Sequence, residues 1–255
     1  MVMPAPQRKR GTILKNRLLA AAALTAACLF PAGAHAGLFS VTPVRIFMAP
    51  HDRATAVTIT NEGDQELVMQ ADIYAWKQRA DGSDDLALSE DLILAPPIIK
   101  IPARGRQVVR LAMITPPTSR DQATYRMILR EIPEAHAADK KVQLQIALAF
   151  SLPVFITPQT AKRELACSVA RSAPDAVTAR CVNRGNAYAQ PRELALTGAD
   201  GAKIAGIESA TYLLPGTAHA YEIKRAGGAI PSGPAKLAVN FDDGTSQAFD
   251  VTVGD

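Results

Sequence analysis

The chain has 255 residues, 48% hydrophobic and 20% charged, a balance that excludes a disordered chain, a collagen-like rod and a coiled coil. Its formal charge of +4 is unevenly spread: Arg8, Lys9, Arg10, Lys15 and Arg17 lie in the first 36 positions, with no acid among them. Setting these five aside leaves 23 of the 28 basic residues against 24 acidic ones. The clustered cations that phosphate neutralisation needs are missing, and nucleic acid is not expected as a partner.

The N-terminal segment has the parts of a secretory signal: a basic start, an apolar run over 18–30, and small residues at the cut in Ala34-His35-Ala36. Cleavage is expected after Ala36, which makes 1–36 a signal peptide. A lipoprotein signal with Cys28 as the acylated residue is the competing reading, although Thr25 stands where such signals usually carry leucine. The apolar run is too short for ~30 Å of hydrocarbon, and no later stretch is long enough, so stable membrane insertion is not expected. Removing the signal leaves Cys167 and Cys181. An even count in an exported chain reads as one disulfide, with two buried thiols as the other reading. The cysteines lie in strand-like runs, 164–171 and 176–183, joined by the turn Ser172-Ala173-Pro174-Asp175.

From Gly37 onward short alternating segments are separated by turn residues, and no long helical periodicity intervenes. Strands are expected at 54–60, 67–76, 98–101, 107–114 and 124–132. A second series is expected at 165–170, 177–182, 193–197, 208–213, 220–223, 235–240 and 246–253. This spacing favours sandwiches or barrels over alternating strand and helix units, and predicts an all-β chain. Val182-Asn183-Arg184-Gly185-Asn186 echoes Thr60-Asn61-Glu62-Gly63-Asp64, a weak sign of duplication because Asn and Gly make turns everywhere. The reading is two sandwiches, 37–157 and 163–255, with a linker at 158–162.

The segment 140–155 is longer than a typical strand of about five or six residues. Its even positions are Val142, Leu144, Ile146, Leu148, Phe150, Leu152 and Val154, so one face carries all seven of these large apolar side chains. Two readings follow. The row lines the first sandwich's own core, or the strand runs past that core and offers part of the row at a sheet edge, where a partner's incomplete sheet could take it up.

Leu129-Arg130-Glu131-Ile132-Pro133, then Leu144-Gln145-Ile146-Ala147-Leu148, then Leu152-Pro153-Val154-Phe155 ahead of a second β-rich half, together resemble the periplasmic pilus chaperones of the chaperone–usher pathway. Thr124-Tyr125-Arg126 and Ser151-Leu152-Pro153-Val154-Phe155 look like the archaic branch, whose usual clients are spore-coat-type pilins. The resemblance implies two immunoglobulin-like β-sandwich domains arranged in an L, and a periplasmic location. It implies pilus subunits and an outer-membrane usher as partners, and subunit binding by donation of Val142, Leu144, Ile146 and Leu148. It further implies a basic pair that grips the subunit's C-terminal carboxylate. The first member falls on Arg45; the second, a lysine elsewhere in the family, falls on Pro153, and Arg126 on the neighbouring strand is the substitute. An ion pair between the domains is implied for Arg110 and Asp242, with an acidic third member at or beside Gln122, where Asp121 could stand in.

No catalytic constellation is found, and an enzyme is not expected. His51, His136 and His219 are far apart and outside metal-binding spacings, and no nucleophile elbow, phosphate loop or dinucleotide fingerprint is present. No metal and no cofactor are expected. The rival to a chaperone is a secreted immunoglobulin-like structural or adhesive module of a surface assembly. A further expected partner is a second copy of the chain, through the exposed edge strand.

Overall fold

The computed structural model describes residues 39–133 and 147–254. The regular structure among them is entirely β. The first series is β1 (Phe39–Thr42), β2 (Ile46–Met48), β3 (Ala54–Asn61), β4 (Leu67–Gln78), β5 (Asp84–Leu88), β6 (Leu92–Ala95), β7 (Ile98–Ile101), β8 (Arg106–Met113), β9 (Ala123–Glu131) and β10 (Ala149–Ile156). The second is β11 (Leu165–Ala173), β12 (Ala176–Asn183), β13 (Pro191–Gly198), β14 (Lys203–Glu208), β15 (Ala218–Lys224), β16 (Gly233–Phe241) and β17 (Ser246–Val253).

Each series forms two facing sheets. The first has β1-β3-β8-β6 opposite β2-β10-β9-β4-β5, with β7 pairing β4; the second has β11-β12-β15 opposite β14-β13-β16-β17. Alternation explains each core. Val57 and Ile59 from β3, Val109 and Leu111 from β8, and Leu67, Met69 and Ile73 from β4 all point inward, and their polar neighbours point out. The second core is built the same way from Val177, Ala179 and Cys181 facing Leu194, Leu196, Leu237 and Val239. Cys167 and Cys181 stand directly opposite on β11 and β12 and form a disulfide.

The Asn-x-Gly echo is structural. Asn61 and Asn183 are both buried, and each Oδ1 accepts from the backbone N–H two residues on, Gly63 at 2.9 Å and Gly185 at 3.0 Å. Each Nδ2 donates to the carbonyl four residues on and to a strand or loop across the fold: Gln65 and Ile101 for Asn61, Ala187 and Leu213 for Asn183. One polar pin closes the same kind of turn in both halves.

Some expected elements differ. The four short strands β1, β2, β5 and β6 are additional to the sequence reading. β5 is exposed at every position, so it has no alternation to betray it. The expected strand at 208–213 is displaced to β14, because the backbone beyond Glu208 is taken by side chains: Gln190 Nε2 donates to Ala210 O and Gln78 Nε2 to Tyr212 O. In the long segment at 140–155, Val142, Leu144 and Ile146 lie outside the described residues, and the described strand begins at Ala149. Residues 1–36, with the expected signal, also lie outside them; none of the described residues forms a helix long and apolar enough to cross a membrane.

Candidate functional site

Two strands of the first half change phase where they approach the second. β4 fills its core with odd positions as far as Ile73, then buries Trp76 on the opposite face. β10 sends Leu152, Val154 and Ile156 into its own core and buries Pro153 and Phe155 on the other side. Trp76, Phe155 and Leu214 thereby form a small core between the halves, with Tyr188 and Tyr212 packed against it. Phe155 stacks on Tyr188 at 4.2 Å, and Trp76 and Tyr212 meet in a T-shaped pair at 5.3 Å.

Two glutamines clamp this junction. Gln78 Nε2 donates to Tyr212 O, and its Oε1 accepts from Leu214 N and Thr217 Oγ1. Gln122 is buried; its Oε1 accepts from Tyr188 N and its Nε2 donates to Thr157 Oγ1. The acidic third member expected here is thus an amide, which satisfies a donor and an acceptor without the desolvation cost of a carboxylate.

The structure assigns the ion pair across the junction differently from the sequence reading. Asp242 pairs with Arg45, through Arg45 Nη1, and not with Arg110. Arg110 sits on the solvent face of β8, where its neighbours Val109 and Leu111 take the core positions, and among the described residues it makes no ion pair. Asp242 follows β16 and lies, 8% exposed, against the residue just ahead of β2. Arg45 also donates from Nη1 to Tyr188 Oη at 3.0 Å and from Nη2 to Gln190 Oε1 at 3.1 Å. Burial alone would lower the pKa of its guanidinium; Asp242 and the phenols of Tyr212 and Tyr188 outweigh that and raise it above the ordinary value. Burial, then Asp242, pushes Tyr188 up to about 12, so the phenol stays protonated and can donate.

Arg126 is mostly buried on β9, its guanidinium 3.6 Å above the Trp76 ring and 3.6 Å from Asp84. Burial lowers its pKa and Asp84 counters in part, but an arginine so placed remains charged at neutral pH. It lines a 360 Å³ pocket with Trp76, Gln78, Asp84 and Tyr212. Arg45 and Arg126 flank the same ring, 5.7 and 5.5 Å from the Tyr212 centroid, so the fold brings together two cations that lie 81 positions apart.

Beside these cations the edge of β10 is partly uncovered. β9 pairs with β10 along 149–156, but on the other side β2 pairs only with Val154, Phe155 and Ile156. Pro153 stands where that pairing begins, a position at which a missing N–H costs no ladder bond. From Ala149 to Pro153 the outer edge of β10 has no strand beside it among the described residues. Phe150 is 39% exposed with its ring on Phe39, and Leu148 is half-buried just ahead of the strand. Of the apolar row ahead of Leu152, Leu148 and Phe150 are thus only partly covered, while Val142, Leu144 and Ile146, on which the two sequence readings divide, lie outside the described residues.

Arg45, Arg126 and Asp242 were visible in the sequence; Gln78, Trp76, Tyr188 and Gln190 were not. Trp76 alone carried a signal, since it breaks the odd-position alternation of its strand. No group of His, Cys, Asp and Glu suited to a metal ion occurs among the described residues.

No curated protein matches the sequence. Among solved structures, a chain of the CsuC–CsuE chaperone–tip adhesion subunit pre-assembly complex, from the archaic chaperone–usher Csu pili of Acinetobacter baumannii, has TM-score 0.62 at 20% identity. The match covers 86% of this chain and 100% of that one. The E. coli chaperone DraB gives 0.55 at 16%, covering 85% and 97%. A chain of the Salmonella enterica SafA pilin–SafB chaperone complex gives 0.56 at 13%, covering 86% and 97%. At these identities the likeness is one of fold. The family model for the pili and flagellar-assembly chaperone, PapD N-terminal domain, matches residues 38–162, and that segment belongs to the pilus-assembly chaperone family.

Proposed function

We propose that the protein is a periplasmic chaperone that holds pilus subunits by lending them the strand leading into β10. The observation that carries this reading is the open β10 edge beside two partly buried arginines. A subunit lacking one strand would pair along 149–153 and further upstream, with Leu148 and Phe150, then Ile146, Leu144 and Val142, entering its groove. Each large apolar side chain so buried contributes about 1.5–3 kcal/mol gross, offset by the ordering of both chains. Arg45 and Arg126 would receive the subunit's terminal carboxylate, Arg126 in place of the lysine that Pro153 precludes. Exchange for another subunit's strand at the outer-membrane usher needs no catalysis, because donated and incoming strands offer equivalent backbone pairing.

Spore-coat-type pilins are the proposed clients, given the archaic-like motifs. Export by the 1–36 segment and a division at 158–162 complete the reading; the two separate cores support the division. The open edge also offers a route to self-association in the free protein. The test is co-purification from a periplasmic extract, with the chain tagged at its C-terminus. Recovery of one pilin-like protein at equal stoichiometry, lost in Leu148→Asp and in Arg45→Ala, is expected. Recovery of no such partner, or of the chain itself in shed fibres, would turn the reading to a structural module.

A further inference from the structure

Arg45 belongs to the first sandwich, yet every hydrogen bond its side chain makes among the described residues goes to the second. A guanidinium has five N–H donors: two on each Nη and one on Nε. Both Nη1 hydrogens are used, by Tyr188 Oη and Asp242, and one Nη2 hydrogen goes to Gln190 Oε1. The Nε hydrogen and the second Nη2 hydrogen have no acceptor among the described residues. Two N–H groups are thus unspent, and a carboxylate has two oxygens to accept them. Arg45 is 30% exposed while Asp242 is 8% exposed, so the guanidinium is held from its buried side with part of it open to solvent. Tyr188 Oη lies 3.2 Å from Asp242 as well as 3.0 Å from Arg45, and Phe155 stacks on the Tyr188 ring, which fixes the support in turn.

We infer that Asp242, Tyr188 and Gln190 are positioning residues: the second sandwich holds the Arg45 guanidinium with its Nε hydrogen and one Nη2 hydrogen unspent, as a preformed receptor for a terminal carboxylate. This rests on the proposed anchoring role of Arg45 and names what makes it work. Because Asp242 already neutralises Arg45, net charge adds little at this position. Recognition rests on the direction of two N–H groups, and is lost when the guanidinium is free to rotate. Asp242 is met through Nη1 alone, so it does not compete for the Nε hydrogen or for Nη2.

The test uses the full chain and a synthetic peptide of the C-terminal strand of the co-purified subunit, made with a free carboxylate and with a carboxamide end. The readout is the ratio of the two dissociation constants. In the parent protein the acid form binds more tightly. Asp242→Asn should cut that preference about tenfold, the scale of a charge-assisted hydrogen bond lost from a partly buried site, with carboxamide affinity unchanged. Tyr188→Phe, which keeps the ring stack, should cut it less and in the same direction. Equal weakening of both peptides would mean that Asp242 only holds the halves together, and would overturn the inference. So would tighter binding of the acid form, which would make Asp242 a competitor. Absence of any acid preference in the parent protein would remove the anchoring role itself, and the inference with it.

Discussion

Removing the amide of Asn183 should unlock the turn that leads from β12 into the junction. The side chain is fully buried and makes three hydrogen bonds: Nδ2 to Ala187 O at 2.7 Å and to Leu213 O at 3.0 Å, and Oδ1 from Gly185 N at 3.0 Å. At about 1 kcal/mol net each, Asn183→Ala should cost about 3 kcal/mol. Leu213 O keeps a second donor, Ala189 N at 2.9 Å, so the loss should not run far beyond that sum. In equilibrium urea unfolding followed by far-UV circular dichroism, a slope of about 1–3 kcal/mol per molar puts the midpoint about 1–3 M lower. Asn183→Asp is the discriminating control. It keeps an acceptor for Gly185 N but sets a carboxylate oxygen against two carbonyls, so at neutral pH it should be worse than alanine. A loss below about 1 kcal/mol for Asn183→Ala, or an Asp variant as stable as the parent, would refute the pin.

Three further outcomes follow from the geometry. Cys167→Ser with Cys181→Ser opens a cross-link between positions 14 apart and should lower stability by about 3 kcal/mol, read as a lowered urea midpoint for the double variant; an unchanged midpoint would count against a stabilising bond. Gly185→Ala would place a methyl 2.1 Å from Lys162 O and 2.6 Å from Glu164 N, both backbone, so the variant should fail to accumulate as folded protein; parental yield and Tm would contradict this. His219 is held below its ordinary pKa by burial, with Nδ1 buried and lacking a partner, so the neutral ring is the folded form. Its stabilising effect is present above the unfolded-state value near 6.5 and is lost as pH falls below it. The drop in Tm from pH 7.5 to 5.5 should therefore be smaller in His219→Phe, and equal drops would refute the assignment.

Sequence patterning made β7 and β17 legible to the residue and β3, β8, β9 and β12 nearly so, because each buries one face and alternation reports that directly. The same rule explains the failures. β5 buries nothing, and beyond Glu208 the carbonyls of Ala210 and Tyr212 go to Gln190 and Gln78, which alternation cannot reveal. The repeated Asn-x-Gly was visible but ambiguous, since an exposed turn and a buried pin share one spelling, and only the carbonyls across the fold distinguish them.

The candidate site divides along the same line. By itself the sequence determined two β-rich halves, a cysteine pair on adjacent strands, an apolar row longer than a typical strand, and arginines at 45 and 126. These are local properties of pattern and composition, written within a strand or a turn. Which carboxylate Arg45 meets was decided only in three dimensions, because Asp242 is 197 positions away and Arg110 is closer in sequence to both. Partner choice follows from which faces of β4 and β10 turn outward at the junction, and that turn is set by Trp76 and Phe155 burying themselves against Tyr188, Tyr212 and Leu214. Hydrophobic closure between the halves fixes the distance and angle at which the charges meet, and no spacing along the chain carries that information.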